Sequence, residues 1–139
     1  MKRYLVIGNP ISHSLSPVLH NYWIKQNKLD AIYEKKKLNN NELENIILEV
    51  RQGNIKGINV TVPFKNTIIP YLDELSDEAE KTQSVNTICL KNKKVYGHNT
   101  DIEGFENAIK KINFDFSNKK IFILGAGGVV PSIIYASMK

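Results

Sequence analysis

The chain predicts an α/β protein: a three-layer sandwich around a mixed, mainly parallel sheet, followed by the opening strand-turn-helix of a second unit. Three observations carry this. Short apolar runs at Tyr4–Ile7 and Ile121–Leu124 each end in a glycine-containing turn, as buried parallel strands do. Up to residue 62 the periodicity alternates strand, helix, strand, helix, strand, the order of right-handed crossover units. Finally, Ile58, Val60 and Val62 alternate with Asn59 and Thr61 until Pro63, which lacks an N–H, ends the ladder. That leaves an amide, a hydroxyl and the Lys65 ammonium at a strand tip, where open α/β sheets bind ligands.

The elements follow in order. Tyr4–Ile7 leads into Gly8-Asn9-Pro10. Ser16-Pro17 supplies an N-cap hydroxyl and a first-turn proline for a helix to about Lys28, burying Val18, Leu19, Tyr22 and Trp23. Ala31–Leu38 alternates less well because of its lysines and belongs nearer an edge. Asn41 and Glu44 form a capping box for a helix with an apolar stripe of Leu43, Ile46, Ile47 and Val50, stopped at Gly53. A strand at 56–62 follows, then an untidy helical stretch from Lys65 to Leu75. Ser76 caps a short helix to about Gln83. Val85–Leu90 and Lys94–Tyr96 form a hairpin at one edge of the sheet. Gly97–Asp101 is a turn, and Ile102, Phe105, Ile109 and Ile112 mark the buried face of the next helix. After the polar loop 113–118, the strand 121–124, the turn Gly125–Gly128 and a helix from Val129 to Lys139 have the layout of a Rossmann-like start. The expected division is therefore a near-complete α/β domain at 1–100, then a linking helix and an incomplete second unit at 101–139.

Composition narrows the function. The 139 residues carry a net charge of +5, mostly from lysine pairs such as Lys93-Lys94 and Lys119-Lys120. These coat solvated faces without the aromatic interleaving that reads nucleic acid, yet they favour anionic small molecules. The single cysteine, Cys89, excludes an intrachain disulfide and reads as a small buried hydrophobe. No apolar run approaches the ~20 residues of a membrane span. The apolar run after Met1-Lys2-Arg3 is too short for a secretory signal, so a cytoplasmic protein is expected.

Candidate chemistry gathers in a few places. The turn at 125–128 suits a pyrophosphate at a helix start, with the bulkier Val130 where a third small residue is usual, or else merely packs a helix against a strand. Lys65 and Asp101 each stand beside small polar residues, Asn59 and Thr61 for one, Asn99 and Thr100 for the other. An ammonium and a carboxylate meeting near an alcohol would make a proton-transfer couple for hydride chemistry. Taken singly, the lysine is an ordinary surface residue and the aspartate an ordinary cap. Ser12, His13, Ser14 and Ser16 could bind a carboxylate or simply close a turn. His13, His20 and His98 show no metal-ligand spacing.

Together these residues resemble the amino-terminal part of the shikimate 5-dehydrogenase family. The carrying motifs are S-L-S-P at Ser14–Pro17, N-V-T-V-P-F-K at Asn59–Lys65, V-N-T at Val85–Thr87, G-x-N-T-D-x-x-G at Gly97–Gly104 and G-A-G-G at Gly125–Gly128. The resemblance implies that Ser14 and Ser16 bind the shikimate carboxylate. Asn59, Thr61, Asn86 and Asp101 would contact the ring hydroxyls, with Lys65 on the hydroxyl that is oxidised. Lys65 and Asp101 would be the catalytic pair, and Gly125, Ala126, Gly127, Gly128 and Val129 would hold NADP for reversible reduction of 3-dehydroshikimate. The chain departs from the family at Gln83-Ser84, where Gly-Ala is usual, and at Val129-Val130-Pro131, where two small residues and an arginine are usual. The basic loop that selects NADP and the returning carboxyl-terminal helix have no counterpart in these residues, so low turnover is expected. The competing readings are an NAD-dependent quinate/shikimate dehydrogenase and a non-catalytic, truncated ligand-binding paralogue. The expected partner is a small molecule, with neither nucleic acid nor membrane, for a monomer or homodimer.

Overall fold

Leu5, Val6 and Ile7 are at most 3% exposed, which places β1 (Lys2–Gly8) inside the sheet. The computed structural model describes residues 1–138; Lys139, where the last helix was expected to end, lies outside the described residues. On one side β1 pairs in parallel with β2 (Ala31–Lys37), and on the other with β3 (Gly57–Val60). Beyond β3 the sheet turns antiparallel through β5 (Thr87–Lys91) and β6 (Lys94–His98), and β4 (Glu74–Leu75) joins β6 in parallel at the far edge. The order is β2-β1-β3-β5-β6-β4, a mixed sheet with more parallel than antiparallel pairings.

Alternation decides what each face meets. Leu5, Ile7, Ile58, Val60, Ile88 and Val95 pack with Leu43, Ile46, Ile47 and Val50 of α2 (Leu43–Arg51) in the main core. On the opposite face Val6 and Tyr33 join Ile11, Tyr4 and Ile24, the last from α1 (Ser16–Gln26). Helices thus cover both faces, giving the expected three layers. Among the described residues no helix is long and apolar enough to cross a membrane.

Several local expectations are corrected. Val18, Leu19, Tyr22 and Trp23 are 48–71% exposed rather than buried. The inward stripe of α1 is Pro17, His20, Asn21 and Ile24, equally helical in spacing but largely polar. It is tolerated because Asn21 bonds both the N–H (2.9 Å) and the carbonyl (2.8 Å) of Tyr33, supplying at the sheet edge what a further strand would. Ser16 does not cap α1 but begins it, and its N–H is received by Ser14 Oγ at 3.4 Å. The capping box is Asn39 with Glu42, not Asn41 with Glu44; the Asn39 N–H donates to Glu42 Oε2 at 2.8 Å. Both frames have the spacing, but only the earlier one places core residues Leu38 and Leu43 in the staple positions either side of the cap.

The stretch 65–75 resolves into α3 (Phe64–Thr67), a tight 3₁₀ turn at Ile69–Tyr71 that takes Pro70 in its first turn, and β4. The hairpin is therefore internal on one side, and β4 takes the edge, held by Asp73 N–H to the Val95 carbonyl (2.9 Å) and Ser76 N–H to the Gly97 carbonyl (2.9 Å). Ser76 caps α4 (Asp77–Thr82) as expected, accepting from the Ala79 N–H at 3.2 Å. In α5 (Asp101–Lys111) only Ile102 is buried; Phe105 and Ile109 are partly covered and Ile112 is 68% exposed. Residues 121–124 form no strand, because the described chain offers them no partner; Phe122 and Leu124 are 86% and 87% exposed. The glycine turn and helix α6 (Val130–Ser137) do form.

Gly8 lets the first and third strands end side by side. A Cβ there would lie 2.6 Å from Thr61 Cγ2 and 3.0 Å from the Val62 carbonyl. Gly8→Ala should cost about 1–3 kcal/mol by overpacking and displace Thr61. Urea unfolding checks this, and an unshifted midpoint would count against the close approach.

Candidate functional site

Lys65 stands in the first turn after β3, and its carbonyl is bound by the Val85 N–H at 2.8 Å. Asp101 opens α5, with its N–H on Asn99 Oδ1 at 3.0 Å, where a helix amino end favours a carboxylate. The two side chains meet: Lys65 Nζ lies 2.6 Å from Asp101 Oδ2, with side-chain exposures of 12% and 24%. Asp101 Oδ1 accepts from Asn86 Nδ2 at 2.9 Å. Each carboxylate oxygen thus has its own donor.

Asn86 and Asn59 are the centres of the polar cluster. Asn86 Nδ2 also donates to Thr100 Oγ1 (2.9 Å), while Asn86 Oδ1 accepts from the Thr100 N–H (3.0 Å) and the Thr87 hydroxyl (3.0 Å). Asn59 Nδ2 donates to the Asn86 carbonyl (3.3 Å) and Thr87 Oγ1 (3.1 Å), and Asn59 Oδ1 accepts from the Tyr33 hydroxyl at 2.7 Å. Burial pushes the Tyr33 phenol up to about 12, so it stays a donor across the physiological range. His20 stacks on Tyr33 with ring centroids 4.1 Å apart, and burial lowers its pKa.

Thr61 sits beside these groups at the end of the third strand, with its N–H on the Ile7 carbonyl (3.0 Å). Ser14 lies on the loop after the first strand and Ser16 opens α1, both partly buried, and no hydrogen bond joins them to Lys65 or Asp101 among the described residues. That loop is anchored by the Lys35 ammonium, which donates to the Ser12 carbonyl. The structure therefore brings Lys65, Asp101, Asn86 and Asn59 into one network, to which no hydrogen bond joins the Thr61, Ser14 and Ser16 hydroxyls among the described residues; Ser14 Oγ accepts from the Ser16 N–H.

The glycine turn comes close to the same lysine. A Cβ on Gly128 would touch Lys65 Cβ at 3.4 Å, and the Gly128 carbonyl accepts from Ser84 Oγ at 2.8 Å. A cavity of about 430 Å³ lies between Lys65, Thr82–Ser84 and Ala126–Gly128. Gly125 has φ +116°, a backbone that favours glycine, and open space faces Gly125 and Gly127. These features fit close approach of a phosphate to the backbone, although Pro131 contributes no N–H and the Val130 N–H is already bonded to the Gly127 carbonyl. A second cavity, about 530 Å³, opens on the α1 face beside Tyr33, Asn59 and Thr87; neither Lys65 nor Asp101 lines it.

Sequence reasoning named Asn99 beside Asp101 but missed Tyr33, Ser84 and Ser132 among the groups that hold this arrangement. Tyr33 looked like one more strand residue, and Ser84 only like a packing change. Asn99 Nδ2 reaches Thr82 Oγ1 (3.0 Å) and Ser132 Oγ (2.7 Å), and all three are buried. The available signal was a polar residue inside an otherwise apolar helix, as at Ser132. Among the described residues no cluster of histidine, cysteine and carboxylates could hold a metal ion.

Comparison with known proteins gives consistent matches. The family model described as the shikimate dehydrogenase substrate binding domain matches residues 6–88. A shikimate dehydrogenase (NADP(+)) from Pelagibacter ubique is 59% identical over 138 residues, covering 99% of this chain and 52% of the relative. Among solved structures, shikimate dehydrogenase 1 from Peptoclostridium difficile superposes with a TM-score of 0.92 at 32% identity, covering 99% of this chain and 51% of that one. Shikimate 5-dehydrogenase from Thermus thermophilus in complex with shikimate superposes with a TM-score of 0.90 at 33% identity, covering 99% and 52%. The chain spans about half the length of the curated relatives it matches.

Two outcomes follow from the geometry. Asn99→Ala would leave the buried Ser132 hydroxyl without a partner, at about 1–3 kcal/mol, and remove the acceptor of the part-buried Asp101 N–H, while Thr82 keeps its bond to the Glu78 carbonyl; thermal unfolding should show a lower midpoint, and a wild-type midpoint would refute the role. The Tyr33 value is raised in the folded state, so the stability that the protonated phenol contributes is complete below its ordinary value near pH 10 and is lost as pH rises through about 12. Between those pH values urea midpoints should fall less steeply in Tyr33→Phe than in the wild type.

Proposed function

Because the chain belongs to the shikimate dehydrogenase family, we propose that its polar mouth binds shikimate and 3-dehydroshikimate, and that Lys65 and Asp101 serve their interconversion. The observation that carries this is the ion pair of 2.6 Å at the mouth of the sheet, ringed by hydroxyls and amides. In this reading residues 1–100 form the substrate-binding domain, and residues 101–139 form the linking helix and the start of the NADP-binding domain.

Each side chain has a task. Ser14 and Ser16 hold the ligand carboxylate with hydroxyl donors on a loop anchored through Ser12. Thr61 and Asp101 take ring hydroxyls, and Asn59 adds its remaining oxygen lone pair. Asn86 reaches the ligand by giving up its bond to the exposed Thr100 hydroxyl, the one of its contacts most easily replaced by water. Lys65 Nζ gives a proton to the ketone oxygen in reduction and takes it back from the alcohol in oxidation, and Asp101 holds that nitrogen in line. The backbone of Gly125, Ala126, Gly127, Gly128 and Val129 would hold NADP, which supplies or takes the hydride when bound. The cofactor turn touches the stem of Lys65, so the two reacting partners would share one wall.

Calorimetric titration of shikimate into the protein tests the binding half: saturable binding is expected, weakened at least ~10-fold in Asp101→Ala, which loses a charge-assisted contact. Absence of binding by the wild type would remove the reading. Shikimate-dependent reduction of NADP tests the chemistry. Lys65→Ala should lower kcat by about 10²-fold while changing KM much less. Quinate and NAD, run alongside, should be the poorer pair.

A further inference from the structure

Tyr33 lies on the edge strand, separated from Asn59 by the whole width of β1, yet its hydroxyl reaches Asn59 Oδ1 at 2.7 Å. From that contact inward, the direction of every bond follows from what each group can do. The Asn86 carbonyl can only accept, so the nitrogen of Asn59 faces it and Thr87 Oγ1. Asn59 Oδ1 must then face Tyr33, and the phenol is the donor. The Thr100 N–H can only donate, so the oxygen of Asn86 faces that. Thr87, having accepted from Asn59, gives its hydrogen to Asn86 Oδ1 at 3.0 Å. Asn86 Nδ2 is left to donate to Asp101 Oδ1 at 2.9 Å, and Asp101 Oδ2 receives Lys65. Reversing any one link would set donor against donor or acceptor against acceptor.

We propose that Tyr33 is a positioning residue for the Lys65–Asp101 pair: its hydroxyl donates to the oxygen that the backbone leaves facing it on Asn59, and so restrains an amide whose bonds run through Thr87 and Asn86 to Asp101. Tyr33 touches neither member of the pair and acts only through the relay. Nothing in its neighbourhood requires a hydroxyl for packing, since the ring is held by Val6, Ile11 and the stacked His20. The backbone of Tyr33 is held separately by Asn21. The catalytic part of the proposal rests on the reading of Lys65 and Asp101 as the proton-transfer couple; the relay itself does not.

Side-chain NMR of the protein, without any ligand, tests the relay. In the wild type the amide hydrogens of Asn59 and Asn86 should exchange at least ~10-fold more slowly than those of exposed Asn92, as bonded donors do. Tyr33→Phe should speed exchange at Asn59 and Asn86 and shift the Lys65 ammonium resonance, while Asn21 keeps its protection. If only Asn59 responds, the relay ends there and the proposal falls. If Asn21 is lost as well, the tyrosine is merely structural and the proposal falls too. Should Tyr33→Phe fail to fold, Thr87→Val cuts the next link and must move Asn86 and Lys65 in the same way; no movement there overturns the proposal. In NADP-linked turnover Tyr33→Phe should lower kcat about 5-fold, the worth of one neutral hydrogen bond, with KM nearly unchanged. A responsive relay with no shikimate binding would reject the functional reading and leave the positioning role standing.

Discussion

An ammonium and a carboxylate held 2.6 Å apart with little solvent are the constraint around which the other polar groups are arranged. Such a pair is a weak source of stability, because the loss of hydration offsets most of the attraction, and well-packed apolar residues often do as well or better. Leaving either partner alone is far more costly. A fold that keeps the pair must therefore satisfy each remaining lone pair and hydrogen. Here the second carboxylate oxygen takes Asn86, the backbone of Asp101 takes Asn99, and the helix start adds its own partial charge.

Sheet topology explains why residues so far apart in sequence meet. The third strand ends at Val60 and delivers Thr61 and Lys65 just beyond its tip. β5 runs antiparallel to it, so the beginning of β5, with Asn86 just ahead, lies at that same tip; Asn59 stands opposite Thr87. β6 reverses direction again, and its end, His98, stands opposite Thr87 in turn. Two antiparallel steps therefore bring the exit of β3, the entrance of β5 and the exit of β6 to one edge of the sandwich. An all-parallel continuation would have carried Asn86 to the opposite end. The mixed sheet is what makes the cluster possible.

Much of this was legible in the residues, and the limits have physical causes. Strand periods, the Ser76 cap and the amide-hydroxyl-ammonium sequence at 59–65 are local patterns, and local patterns survive folding. The convergence of Lys65 with Asp101 was readable through motif resemblance, and strand logic alone would have left their distance open. The errors came where a second solution had equal local merit. α1 has two stripes with helical spacing, and the polar one turned inward because Asn21 could bond the edge of β2. Two capping frames share a spacing, and the buried leucines chose between them. β4 has only two residues and no period to detect; it exists because Val95 and Gly97 offer a ladder. Tyr33 belongs to the same class: nothing in a lysine-rich edge strand marks a hydroxyl that acts two strands away.

The glycine turn and the ion pair are coupled through buried polar groups. Asn99 spends both amide hydrogens on Thr82 and Ser132 and its oxygen on the N–H of Asp101, joining α4, α6 and the start of α5 at one side chain. Swinging α6 outward would break the Ser132 bond and leave one buried amide hydrogen of Asn99 without an acceptor, at about 1–3 kcal/mol. The Ser84 bond to the Gly128 carbonyl would go with it. Apolar contacts tolerate small sliding, whereas hydrogen bonds of 2.7–2.8 Å do not. The seat of the turn against the stem of Lys65 is thus set by direction as much as by area, and the residue that fixes it is the same one that anchors the backbone of Asp101.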